Sequence, residues 1–248
     1  MEFSIKRIRD AMFRDVTLLK NTIITALAVA GGILFIGMFF MTRRDDYLSA
    51  NEFMGIFGLC YVVLGVLFTF AILKESHNPK HNHLYFALPI SSLERLATIW
   101  LMTTVVYTMV FTLVALVVGQ LAIMVGGIVF GSNFHLVSLF SESYEQLIKG
   151  YFIIQPVFLY GAMVFSKNRV GKTVLALLLI FMGMLFYGLI LFSILNYRHG
   201  VYPGDLIGDE AFDLASKDFS EVGSWFFILL FGPMMLLTSY FKIIEKEV

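Results

Sequence analysis

Charge is scarce in this sequence, and that scarcity is the first constraint on what it can be. Of 248 residues only 15% are Asp, Glu, Lys or Arg, while 58% are hydrophobic and 26 are phenylalanine. Soluble domains carry about 25% charged and about 45–50% apolar residues. A chain with so few polar side chains cannot clothe a water-facing globule, so the expected class is an integral membrane protein. Cysteine is nearly absent: Cys60 stands alone inside an apolar run, which excludes an intrachain disulfide and a cysteine-based zinc site. Net charge is zero, so no basic field points to nucleic acid. No short apolar core followed by small residues opens the chain, and no cleaved leader is expected.

What is present is apolar text in blocks. Six runs, at 21–41, 53–73, 99–124, 149–166, 173–195 and 223–241, each approach the roughly 20 residues that cross a hydrocarbon core of about 30 Å. Backbone polar groups in lipid must be satisfied within the segment, so these runs predict an all-α fold with six transmembrane helices. Before them, Ile5, Ile8, Met12, Val16 and Leu19 recur at helical spacing, with Lys6, Arg7, Arg9 and Arg14 on other faces. That pattern predicts an amphipathic helix over 1–20 lying in the headgroup layer. Apolar text continues past the third span through Gly126, Gly127 and Gly131. A break or re-entrant bend is expected at Gly126–Gly131, where Gly127 and Gly131 also form a G-x-x-x-G pair suited to close helix contact.

An even number of spans puts both termini on one side. That side holds 13 basic and seven acidic residues, and the other holds five and 11. The sides therefore carry +6 and −6, and the positive-inside rule places both termini in the cytoplasm of a multi-pass cell (inner) membrane protein. The acidic stretch 196–222 reads as a solvated outer loop. The whole of 1–248 reads as a single domain: an interfacial helix at 1–20, spans within 21–241, a cytosolic loop at 74–98 and a short cytosolic tail at 242–248.

Chemistry is also largely missing. Apart from Lys149 at its margin, no Asp, Glu, Lys, Arg or His lies in any of the six runs, whereas ion-coupled carriers and intramembrane hydrolases depend on such groups. The strongest polar side chains there include Thr108, Gln120 and Gln155, the candidates for a substrate path. Ser166 to Thr173, reading SKNRVGKT, ends like a phosphate-binding loop, but Ser166 replaces the first glycine and both flanks are spans rather than strand and helix. It is expected to anchor helix ends at the interface. His77, His81 and His83 have Pro79 among them, which argues against a helical metal pair. No catalytic, cofactor or metal site is therefore expected in this chain.

The loop between the second and third spans is the remaining candidate. Pro89 interrupts it, Ser91 or Ser92 can cap the following helix, and Glu94 falls in that helix's first turn, the arrangement of a capping box. The helix continues through Arg95 into the span at Trp100. Phe86-Ala87-Leu88-Pro89-Ile90-Ser91-Ser92-Leu93-Glu94-Arg95, together with six spans and a cytosolic entrance helix, resembles the type-2, exporter-class permeases of ABC transporters. The resemblance implies a permease that works as a homo- or heterodimer in the bilayer. It also implies that Pro89, Ser91, Ser92, Glu94 and Arg95 couple to a separate ATPase subunit, which holds the ATP and Mg. The alternative is a membrane-embedded enzyme acting through His77, His81, His83 and Glu94, or a non-transporting scaffold.

Overall fold

The computed structural model describes residues 3–42, 50–74, 90–131, 142–196, 223–225 and 227–247. Among the described residues there is helix and no strand. Among the described residues six helices are long and apolar enough to cross a membrane: α1 (Ile5–Met41), α2 (Ala50–Ile72), α3 (Ser92–Phe130), α4 (Glu142–Val164), α5 (Arg169–Asn196) and α6 (Gly223–Glu245). Each coincides with one of the six apolar runs, although α2 stops one residue and α4 two residues short of the run's end. His77, His81, His83 and Pro89 lie outside the described residues.

The helix expected over 1–20 is not a separate element. α1 is one helix of 37 residues, about 55 Å at 1.5 Å per residue. No glycine or proline interrupts it before Gly31, so nothing breaks its ladder where charge gives way to apolar residues. Nor does its charged part lie apart from the bundle. α1 runs parallel to α3 and in step with it: Ser4 meets Glu94, Gly31 faces Val118, and Thr42 covers Gly126. The first turns of α1 thus stand along α3, with Met12 and Leu19 packed against the cluster that contains Ile99 and Met102.

α3 carries one irregularity. A π turn spans Met102–Val106, where the Tyr107 N–H reaches back to the Met102 carbonyl. The helix then continues through Gly126 and Gly127 and ends at Gly131, whose positive φ of 73° directs its N–H onto the Gly127 carbonyl. The expected break therefore falls at the last position of its range. A second π turn, Leu230–Met234, contains Pro233, whose missing N–H cannot continue the ordinary ladder.

Two core clusters fill the bundle. One joins Leu34, Met38, Phe57, Tyr61, Tyr107, Phe111 and Tyr151 from α1 to α4. The other joins Leu73, Ile99, Met102, Leu159, Ala162, Met163 and Ile243 around the end where α3 begins. α5 is different. Its first turns pack on α4, where Thr173 sits against Gly161, but beyond them Leu178, Phe181, Phe186 and Ile190 are exposed.

Candidate functional site

The start of α3 is held by an exact fit of local sequence to backbone need. The first N–H groups of a helix have no partner within it. Ser91 adopts extended backbone, its Oγ accepts from the Glu94 N–H at 3.3 Å, and Glu94 Oε2 accepts from the Ser91 N–H at 2.8 Å. Of the two expected serines, Ser91 is the cap, and Ser92 is the first helical residue. Ser91→Ala removes this acceptor and is expected to cost about 1 kcal/mol, read as a lower midpoint of thermal unfolding in detergent.

Glu94 has a second set of partners that the sequence reading missed. Its Oε1 accepts from the Ser4 N–H at 2.6 Å, from Arg7 Nη2 at 2.7 Å and from Arg7 Nε at 3.1 Å. One carboxylate therefore caps its own helix with one oxygen and grips α1 with the other. These bonds hold the carboxyl down to about 2, Arg7 contributing most and the Ser91 N–H next, against the upward pull of burial. The Glu94 side chain is wholly buried, while Arg7 remains one-third exposed. Arg95 is buried too, at 2% exposure. An outward docking face made of Glu94 and Arg95 is thus not what the fold presents. Both point into the bundle, and Glu94 acts on α1.

Arg169 and Thr173 of the SKNRVGKT segment have structural partners. Arg169 opens α5 and donates to the Leu73 carbonyl at 3.2 Å, holding the end of α2. Gly171 sits inside α5 rather than in a loop. The Thr173 hydroxyl, which a phosphate loop would present to a metal, is buried and donates to the Arg169 carbonyl at 2.8 Å. Among the described residues no three His, Cys, Asp or Glu gather as a metal site.

Of the expected path residues, the fold unites two and separates one. Thr108 shares a 2.6 Å hydrogen bond with the Tyr61 hydroxyl. The Gln155 amide donates to Thr103 Oγ1. Tyr151 donates to the Thr103 carbonyl at 2.9 Å, inside the π turn, and its ring centroid lies 4.7 Å from that of Tyr61. Tyr107 donates to the Tyr61 carbonyl at 2.6 Å. Thr108 and Gln155 are therefore two ends of one buried seam of threonines and tyrosines. Gln120 stands 12 residues further along α3, about 18 Å away at 1.5 Å per residue, and is not part of it.

A buried tyrosine needs a hydrogen-bond partner, but nothing local in the sequence pairs these three. Their packing depends on Gly65: a Cβ there would lie 2.7 Å from Cε2 and Cζ of Tyr151. Gly65→Ala is expected to push that ring and cost about 1–3 kcal/mol, seen as a lower unfolding midpoint in detergent. Comparison of the chain with protein-family models, curated proteins and solved structures finds no match.

Proposed function

We propose that this chain is the membrane-spanning permease subunit of an ATP-driven exporter of the ABC class. Its energy comes from a separate ATPase that binds ATP and Mg, and two permease copies assemble in the cell membrane with their termini in the cytoplasm. The observation that carries the reading is the Glu94 junction. A force applied to the 74–98 segment enters α3 at a helix start that is capped, buried and tied to the beginning of α1. Two helices that run in parallel for most of their length then receive the same push. Six apolar helices supply the membrane part, and the charge asymmetry of the sequence supports the cytoplasmic placement of this junction. In this reading Glu94 and Arg95 hold the coupling helix in place. The contact with the ATPase falls to the residues before them, Pro89 included.

The test is co-expression with a candidate ATPase subunit and purification in detergent. The expected result is a stable complex whose ATP hydrolysis depends on residues 74–98. Failure of any ATPase to co-purify, or unchanged binding and hydrolysis after Pro89 to Arg95 is replaced by a glycine-serine stretch, overturns the reading.

A further inference from the structure

The interface between α3 and α4 contains two buried polar atoms that the surrounding protein leaves unsatisfied. Gln155 Oε1 and Trp100 Nε1 are both closed to solvent, and neither has a hydrogen-bond partner. The first is an acceptor and the second a donor. They belong to the same stretch of the interface. Thr103, one turn beyond Trp100, receives the Gln155 amide. The Trp100 ring meets Phe152, one turn before Gln155, edge-on with centroids 6.3 Å apart.

Turning the Gln155 amide over does not cure the deficit. The Thr103 hydroxyl, which donates to the Ile99 carbonyl at 2.8 Å, could turn its proton to the reversed Oε1. The amide NH₂ would then take the place of Oε1 and go without an acceptor. In either orientation Gln155 and Trp100 each bring one unsatisfied polar group to the interface.

We propose that the α3–α4 interface beside the π turn is a buried hydration site holding one water molecule. The water donates to Gln155 Oε1 and accepts from Trp100 Nε1. Its second proton is offered to the carbonyls of the π turn, each of which has two lone pairs. Buried waters in proteins serve such groups, making two to four hydrogen bonds to polar atoms that would otherwise go without. The site is polar on both sides, since α3 contributes Thr103 and Thr104 and α4 contributes Tyr151 and Gln155. Its chemistry is neutral, so it suits a water and not an ion. A water here also gives α3 and α4 an exchangeable partner, so that the π turn can change register without stripping Gln155 of its last contact. This inference does not rest on the transport reading.

Radiolytic footprinting tests it, because radicals formed from a bound water label the side chains around that water. The full chain is placed in nanodiscs, equilibrated with ¹⁸O-water and irradiated. Met102 and Tyr151, both buried, are expected to take up label faster than Met109 and Met182 on the exposed apolar surface. Gln155→Leu removes the acceptor, and Trp100→Phe removes the donor while keeping a ring. Each is expected to abolish the excess at Met102 and Tyr151. Labelling of those two residues no faster than Met109 and Met182 in the wild-type protein overturns the proposal. So does retention of the excess in either variant that folds, as judged by helical circular dichroism. Trp100→Phe is the milder change and keeps the test decisive where Gln155→Leu fails to fold.

Discussion

Under the proposed transport function, Glu94→Ala is expected to uncouple the protein without dismantling its helices. In that proposed assembly, coupled transport and stimulation of hydrolysis by an ATPase partner should fall on the order of tenfold, the scale on which changes along a coupling element act. The reason lies in the number of bonds ending on one side chain. Glu94 accepts from Ser91, Ser4 and twice from Arg7. Its loss therefore removes one half of the capping box of α3 and releases α1 together with it. The apolar packing of Ile99, Met102 and Leu159 beyond it is untouched, so helical content should stay near wild type. A cycle with Arg7→Ala separates the parts. Arg7→Ala alone leaves a buried carboxylate without its guanidinium, whereas the double variant removes both charges. The double variant should accordingly lose less stability than the two single losses combined. Additive losses, or wild-type coupling in Glu94→Ala, would show that the junction transmits nothing.

The same junction has a defined pH response. The folded-state value of about 2 lies below the ordinary carboxylate value of about 4.3. A depressed carboxyl contributes stability above the unfolded value and loses it as pH falls through the folded one. The difference in stability between wild type and Glu94→Gln should therefore be level from neutral pH down to about 5. It should shrink as the pH falls below the ordinary carboxylate value toward about 2. A difference that already shrinks between pH 7 and 6, followed by denaturation in detergent, would contradict the assignment of Arg7 as the partner that lowers Glu94.

What the sequence made legible was whatever depends on near neighbours. The six apolar runs became six helices because length and hydropathy are properties of a continuous stretch. α3 begins before its run, because Ser92 to Thr98 still favour helix. The Ser91–Glu94 capping box was legible for the same reason, since three residues separate its members. Ser4 and Arg7 were not, because about 90 residues of chain lie between them and Glu94, and Arg7 read simply as one of several basic residues on α1. The continuity of α1 could have been read, for no glycine or proline precedes Gly31. Charge patterning suggested a boundary at residue 20 that backbone chemistry did not require. The tyrosine seam could not be read at all. Tyr61, Tyr107 and Tyr151 come from three helices, and only the rotation of those helices about one another brings the rings together.

Tyr61→Ala is expected to have the largest effect on stability of any single change here. Tyr61 is fully buried, stacks on Phe57 at 5.8 Å and on Tyr107 at 5.4 Å, and meets Phe111 and Tyr151 at 5.6 Å and 4.7 Å. In lipid the chain outside the bundle is as apolar as the chain inside, so packing rather than expulsion from water holds helices together. Truncation leaves a cavity that four rings cannot close, and losses of about 3–5 kcal/mol accompany such changes of a buried aromatic to alanine. Tyr61→Phe keeps the ring and removes only the hydroxyl. Thr108 then loses that partner but still donates to the Thr104 carbonyl at 2.6 Å, so the cost should be about 1 kcal/mol. Thermal unfolding of both variants in detergent decides between ring and hydroxyl. A Tyr61→Phe loss as large as that of Tyr61→Ala would mean that the hydrogen bond to Thr108, and not the packed rings, joins α2 to α3.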